Sequence, residues 1–191
     1  MRAGLKQQDK VALHLRNVPE YLETAFAAMK AGLVPVNTNY RYIEGELVYL
    51  WDNADASAVV FHGSFTDRVD RVRPRCPAVR LWLHVDDATT SCPAWASPYE
   101  AEACAAPGRV RAPWGRSGDD LVLIYTGGTI GMPRGVMWRQ HDLFLASNTT
   151  GDPETADPNH IRDRLGRNTP PVGLPCGAAS RLGTIKTPRR P

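Results

Sequence analysis

Short apolar-rich runs alternate with amphipathic stretches over the first half of the chain. Each run has the length of a strand buried on both faces of a sheet. The runs are residues 11–15, 33–36, 58–61 and 81–85. The stretches between them space their apolar positions as helices do; they are residues 17–32, 46–53 and 65–72. This alternation predicts an α/β fold, with a mostly parallel sheet and flanking helices.

The first predicted helix carries signals for its start, its buried face and its end. Asn17 is a residue type that caps helix N-termini, and Pro19 suits the first turn. Gly32 is predicted to end the helix, because glycine tolerates the left-handed conformation found there. Apolar residues at i, i+3, i+4 and i+7 predict the buried face; they are Leu22, Ala25, Phe26 and Met29.

Two groups of residues in the first half allow two interpretations each. The tyrosines and the tryptophan of residues 40–51 are either a ligand platform or core and rim residues, and packing is favoured because large aromatic side chains dominate core energetics. Asp86 and Asp87 are either metal ligands or part of a solvated turn, and the turn is favoured because adjacent carboxylates face apart. Residues 86–118 hold four prolines and little periodicity, which predicts an irregular connection with one or two helical turns over 99–105.

Composition and charge narrow the class of protein. The chain has 191 residues, 42% hydrophobic and 23% charged, which is ordinary for about one globular domain. A net charge of +3 is too small to indicate a nucleic-acid partner, and no apolar run approaches the roughly 20 residues that span a bilayer. The first residues lack the apolar core of a secretion signal, and the four cysteines form no Cys-x-x-Cys pair. These features predict a cytoplasmic protein with reduced, structural thiols and no metal site.

The strand predicted over residues 121–125 leads into a loop rich in glycine and hydroxyl groups. Glycines let successive backbone N–H groups point into one concavity, where they bind anions. The loop residues predicted to bind phosphate are Thr126, Gly127, Gly128, Thr129, Gly131 and Arg134. The alternative is a glycine-rich turn between two strands, which the buried strand before the loop and the cation after it make less favoured.

Two common phosphate-binding motifs do not match this loop. The P-loop requires Gly-x-x-x-x-Gly-Lys-Ser/Thr, and the chain has no such segment. The dinucleotide fingerprint requires Gly-x-Gly-x-x-Gly, and Thr126 stands where its first glycine belongs.

The loop resembles the signature Thr-Gly-Gly-Thr-Thr-Gly-x-Pro-Lys-Gly-Val of the adenylate-forming superfamily, which includes acyl-CoA synthetases, luciferases and peptide-synthetase adenylation domains. Ile130 replaces a hydroxyl residue of that signature, and Arg134 replaces its lysine with a planar cation. The matching positions are Thr126, Gly127, Gly128, Thr129, Gly131, Pro133, Gly135 and Val136. Three upstream fragments resemble the same family in the same order: Asp9–Leu13, with Gln8 where the family has glycine, Asn17 with Glu20, and Ala31–Asn37.

The resemblance implies that residues 1–150 are part of the large N-terminal domain of an AMP-forming acyl-CoA ligase. Such enzymes use ATP, Mg²⁺ and coenzyme A to activate a carboxylic acid. The segments Tyr-Thr-Gly-Gly-Thr and Gly-Val-Met-Trp around the loop resemble those of ligases for fatty or steroid acids, which implies such an acid here. It assigns the six loop residues to phosphate binding and leaves the catalytic residues unassigned. The alternatives are a nucleotide- or phosphate-binding module without catalysis, and an interaction partner of a full-length ligase.

The remainder of the chain differs in character. Residues 136–138 predict a short strand and residues 141–146 a short helix, with His141 a surface or capping residue rather than a catalytic base. Residues 151–191 predict a disordered or non-native tail, because they are rich in proline and lack aromatic residues. Two hypotheses explain this tail: a genuine basic extension, or a shifted reading frame. The later motifs of the family are not found in the tail, so an incomplete and inactive fragment is expected.

Overall fold

The computed structural model describes residues 4–105, 112–126 and 132–148, and within these residues one sheet of seven strands carries the fold. The strands are β1 Lys10–His14, β2 Val34–Asn37, β3 Ala56–His62, β4 Leu81–Val85, β5 Ser97–Pro98, β6 Leu121–Thr126 and β7 Arg134–Arg139. The helices are α1 Pro19–Lys30, α2 Glu44–Asn53, α3 Thr66–Val72, α4 Tyr99–Cys104 and α5 Gln140–Asn148.

The sheet has the order β5-β4-β3-β1-β2-β6-β7. Every neighbouring pair is parallel except β6 and β7, which are antiparallel. The predicted α/β class and mostly parallel sheet are therefore confirmed. The chain runs from β1 to β2 on one side and then returns to β3 on the other, so the strand order reverses beside β1. Ligands of such sheets bind at the carboxyl ends of strands near a reversal of this kind.

Helices cover both faces of the sheet and create two apolar layers. One layer lies under α2 and α3 and includes Leu47, Trp51 and Phe61. The other lies under α1 and α4 and includes Ala28, Val60 and Tyr99. All seven residues of β3 are buried, because alternate side chains of this inner strand point into the two layers.

Helix α1 begins and packs differently from its prediction. Its N-cap is Val18 rather than Asn17, since the residue before a proline is held in an extended conformation. Thr24 and Ala28 are the buried residues of the helix, and the predicted stripe is half-buried except at Phe26, which is 55% exposed. The prediction was therefore wrong at Phe26. The predicted end is confirmed, because Gly32 follows the C-cap with a φ of +66°.

Two segments contain more regular structure than the sequence predicted. The connection over residues 86–118 includes strand β5, two residues long, beside the predicted helical turn that forms α4. Strand β7 begins at Arg134, which was predicted to lie in the loop, and not at Val136. Both differences arise from pairing with a neighbouring strand, which local propensity does not reveal.

The aromatic residues before and within α2 are core and rim residues, as predicted. Trp51 is 1% exposed and packs edge-on against Trp82, with ring centroids 5.7 Å apart. Tyr42 is also buried. No described helix is both long and apolar enough to cross a membrane.

The pair Asp86 and Asp87 forms the predicted turn. An Asp86 carboxylate oxygen accepts a hydrogen bond from the Ala88 N–H, and Asp87 accepts one from the Ser64 N–H. Burial alone would raise the pKa of Asp87, but hydrogen bonds from Thr89 and Ser64 hold it well below its usual range. Among the described residues, no group of three or more His, Cys, Asp or Glu side chains is placed to hold a metal ion.

The chain divides into two compact units, residues 1–140 and 141–191. The described part of the second unit is the helix segment 141–148, in which His141 is exposed as predicted. The predicted boundary at residue 150, the predicted tail over 151–191 and Cys176 lie outside the described residues. Both domain predictions therefore stay predictions. The described cysteines are free thiols; they are Cys76, Cys92 and Cys104.

Gln8 joins the start of β6 to the turn before β1. Its amide donates to an Asp120 carboxylate oxygen at 2.6 Å and accepts from the Leu121 N–H at 3.4 Å. Its backbone has a φ of +65°, a conformation that favours glycine. Gln8, which stands where the resembled family has glycine, thus adopts a strained backbone conformation and makes two side-chain hydrogen bonds.

Comparison of Gln8→Gly with Gln8→Ala separates these two effects. Both variants lose the hydrogen bonds to Asp120 and Leu121, but only the alanine keeps the strained φ. We expect the free energy of unfolding of Gln8→Gly to exceed that of Gln8→Ala by about 1 kcal/mol. Urea unfolding measures both values, and equal values would show that the positive φ carries no cost.

Candidate functional site

The predicted phosphate loop joins the carboxyl end of β6 to the start of β7. Thr126 is the last residue of β6, Arg134 is the first of β7, and the antiparallel register pairs them. Both residues are exposed. A hydroxyl residue and a cationic residue therefore stand opposite each other at the two ends of the loop.

The middle of the loop is not among the described residues. Gly127, Gly128, Thr129 and Gly131 lie outside them, so their predicted part in phosphate binding stays a prediction. The structure describes the two ends of the loop, Thr126 and Arg134. It therefore shows where the loop leaves β6 and where it enters β7.

Asn37 holds the end of β6 from the β2 side. The Tyr125 N–H donates to Asn37 Oδ1 at 2.5 Å, and Asn37 Nδ2 donates to the Tyr125 carbonyl at 3.1 Å. One side-chain amide thus pairs with both backbone polar groups of the residue before Thr126. This arrangement was not predicted from the sequence, although a polar residue at the end of the apolar β2 run was a signal for it.

The side chain of Tyr125 ties the same point to α2 and β7. Tyr125 is 5% exposed, and its hydroxyl donates to Asn53 Oδ1 at 2.7 Å. Gly135 lies against the ring, and a Cβ added there would come within 2.8 Å of the ring Cζ. Burial raises the pKa of the Tyr125 phenol, so it stays a neutral donor. Glycine is therefore required at position 135, because a larger residue there would collide with the Tyr125 ring of the neighbouring strand β6.

A second polar group lies at the carboxyl ends of β1 and β3, where the strand order reverses. The Arg16 N–H donates to His62 Nδ1 at 3.1 Å. The Arg16 guanidinium lies over the rings of Tyr40 and Phe65, with its carbon 5.6 and 5.4 Å from their centroids. Such contacts orient a guanidinium while leaving its charge available to an anion.

Burial favours the neutral form of two histidines at this edge, His14 and His62. His14 is fully buried, with its ring 4.6 Å from that of Phe65. Burial, with the nearby positive charge of Arg68, lowers the pKa of His14 to about 3. Burial likewise lowers the pKa of His62. These residues were not predicted from the sequence, although a histidine at one of the last two positions of three strands was a signal for a polar edge: His14, His62 and His84.

Comparison with known proteins decides the family. The family model described as "AMP-binding enzyme" matches residues 1–165. The chain belongs to the AMP-binding enzyme family. The resemblance read from the loop and the three upstream fragments is thereby confirmed.

The relatives found within this AMP-binding family include mycobacterial ligases. The chain is 39% identical over 166 residues to a medium/long-chain-fatty-acid–CoA/3-oxocholest-4-en-26-oate–CoA ligase of Mycolicibacterium smegmatis, covering 85% of this chain and 29% of that protein. It is 42% identical over 142 residues to the ligase of the same name from Mycobacterium tuberculosis, covering 74% of this chain and 26% of that protein. The chain thus spans less than a third of the length of these relatives.

Solved structures agree with the fold. The anthranilate CoA ligase AuaEII, solved in complex with anthranoyl-AMP, superposes with a TM-score of 0.69 over 78% of this chain and 28% of that one. At 20% identity this likeness concerns the fold alone. It places the described sheet in the architecture of an AMP-binding enzyme, as the sequence predicted.

The buried His14 makes stability depend on pH. Its native pKa lies at about 3, below the value of 6.5 expected in the unfolded chain. Between these values the unfolded chain binds a proton that the native state excludes. His14 therefore costs no stability above pH 6.5, and stability is lost as the pH falls from there towards 3.

We expect His14→Leu to reduce this acid sensitivity. Between pH 7 and pH 5, its free energy of unfolding should fall by about 2 kcal/mol less than that of the wild type. Denaturant unfolding at the two pH values measures the difference. The control is His141→Leu, at an exposed histidine, which should keep the wild-type dependence. Parallel curves for His14→Leu and wild type would contradict the assignment.

Proposed function

We propose that this chain takes part in the ATP-dependent activation of a carboxylic acid, with residues 126–134 binding the ATP phosphates. The observation that carries the proposal is the register of Thr126 opposite Arg134 at the carboxyl edge of the sheet. Charge-assisted hydrogen bonds from a guanidinium to phosphate contribute about 1.5–3 kcal/mol. The names of the mycobacterial relatives support a fatty acid or a steroid acid as substrate.

The proposed reaction has two steps. In the first step, a carboxylate oxygen attacks the α-phosphorus of ATP. The bond between the α-phosphorus and the oxygen that bridges it to the β-phosphorus breaks, so that pyrophosphate leaves and an acyl-adenylate is formed. The thiol sulfur of coenzyme A then attacks the acyl carbon, AMP leaves, and the thiol proton passes to solvent. Arg134 would neutralise charge on the departing phosphates, and Thr126 would orient them. Mg²⁺ would be bound chiefly through phosphate oxygens, as is common for this ion.

The 191 residues are proposed to supply the phosphate-binding part of such an enzyme and not the whole reaction. They correspond to 26–29% of the relatives' length. Phosphate contacts alone do not hold an adenine ring, a carboxylic acid and coenzyme A together, and positioning these reactants is a large part of catalysis. We therefore expect no pyrophosphate release from these residues alone. A cytoplasmic location is part of the same proposal.

A second candidate function is association with a full-length ligase. It is favoured by β7, whose consecutive residues Val136 and Met137 point to opposite faces of the sheet and are 45% and 70% exposed. Exposed apolar residues on a strand are typical of a surface that another chain covers. Co-purification with a full-length ligase would support this function, and a soluble lone monomer would count against it.

Substitution of Arg134 tests the phosphate site. We expect Arg134→Ala to weaken ATP binding at least about tenfold, because it removes a charge-assisted hydrogen bond. Arg134→Lys, which keeps the charge, should retain part of the affinity. Isothermal titration with ATP measures each dissociation constant, and an assay of ATP-dependent pyrophosphate release with fatty and steroid acids runs beside it.

The matched control is Arg139→Ala. Arg139 lies at the other end of β7 and pairs with Asp119 at 2.6 Å, so its loss should leave ATP affinity unchanged. Equal ATP affinity of Arg134→Ala and wild type would refute the phosphate-binding role. Pyrophosphate release by the 191 residues would show that they complete the first step, against the expectation above.

A further inference from the structure

The side chain of Asn37 continues the hydrogen bonding of β2 beyond the point where its backbone does so. Backbone pairing of β2 with β6 is registered at Val36 and Leu123. Two residues further along β6, the N–H and the carbonyl of Tyr125 bond to the Asn37 amide instead. The amide therefore stands in for a strand at the last position before Thr126.

The backbone that carries this amide is itself held in place. The Thr38 N–H donates to the Leu13 carbonyl at 3.1 Å, which joins the end of β2 to β1. The Thr38 hydroxyl accepts from the Trp51 indole N–H at 3.3 Å, and Thr38 is buried. Asn37 thus extends from a rigid support, so its amide transmits the position of the sheet to the end of β6.

We propose that Asn37 is a positioning residue for Thr126 and Arg134, the two described ends of the phosphate loop. By holding Tyr125 on the β2 side, it keeps Thr126 opposite Arg134 on the β7 side, and so holds both ends of the loop in the register that phosphate binding needs. The identification of the bound anion as the phosphates of ATP rests on the proposed function. The positioning of the loop ends rests on the hydrogen bonds alone.

The chemistry of the contact explains why the residue is asparagine. An amide both donates and accepts, and the Tyr125 backbone offers one donor and one acceptor. Aspartate has nearly the same shape but accepts only. In Asn37→Asp, a carboxylate oxygen would face the Tyr125 carbonyl oxygen, and the repulsion would move the end of β6.

The test compares Asn37→Asp with Asn39→Asp. Both changes turn an amide into a carboxylate, Asn37 at the end of β2 and Asn39 two residues further on. Asn39 is exposed and its side-chain oxygen accepts from the Arg41 N–H, a bond that aspartate keeps. We expect Asn37→Asp to raise the hydrogen-exchange rate of the Tyr125 amide about tenfold or more, and to weaken ATP binding about tenfold, which is 1.4 kcal/mol. Asn39→Asp should change neither.

Affinity is measured well below the unfolding temperature of each variant, with circular dichroism confirming the fold. A role in stability alone would lower the unfolding temperature but leave the ATP affinity of the folded variant at the wild-type value. That result would overturn the proposal. If Asn37→Asp does not fold, Asn37→Ser, which is smaller and uncharged, is examined in the same two assays with the same expected direction.

The two measurements separate this proposal from the proposed function. If the wild type does not bind ATP, the phosphate-binding function fails and hydrogen exchange alone decides the role of Asn37. In that case, faster exchange at Tyr125 in Asn37→Asp but not in Asn39→Asp supports positioning of the loop end, and equal exchange overturns it. If the wild type binds ATP and Asn37→Asp binds it equally well, the proposal is overturned whatever the exchange rates.

Discussion

The candidate site depends on the hydrogen bonds made by the end of strand β6. On one side its backbone meets β2 and then the Asn37 amide, and on the other it meets the antiparallel β7. A partly buried N–H or carbonyl that lacks a partner costs about 1–3 kcal/mol, so a strand end is a weak point in a sheet. Because the end of β6 is hydrogen-bonded on both sides, the point at which the loop leaves β6 is fixed, and so is its distance from β7, where the loop returns.

The parallel sheet explains why polar and charged residues gather at one edge. The inner strands are apolar along their length because helices cover both faces. The carboxyl ends of the parallel strands all lie at the same edge of the sheet. Polar side chains are tolerated at this edge because it is less buried than the middle of the strands. The edge includes Asn37 at the end of β2, Thr126 at the end of β6, and the Arg16–His62 pair at β1 and β3. Because burial keeps His14 and His62 neutral, the positive charge there comes from arginines.

The AMP-binding family membership and this geometry support each other from different directions. The family model matches residues 1–165 and a mycobacterial relative matches 85% of the chain, whereas the register of Thr126 and Arg134 concerns one pair of residues. The relatives are more than three times as long as the matched region. The exposed apolar residues of β7 are consistent with a sheet that meets further protein, whether from the same chain or from another one.

The sequence by itself determined the α/β class, the strand–helix alternation and the family, because these follow from local apolar periodicity and from a loop motif of high specificity. It also placed Gly32 and the buried Trp51 correctly, since each depends on its own conformational or burial preference. Only the tertiary structure decided what depends on neighbours distant in sequence. The extension of β7 to Arg134, the exposure of Phe26 and the use of the Asn37 amide by Tyr125 all arise from contacts between separate segments. A side chain's local sequence does not reveal which backbone groups will lie beside it, and that is the physical reason these features were missed.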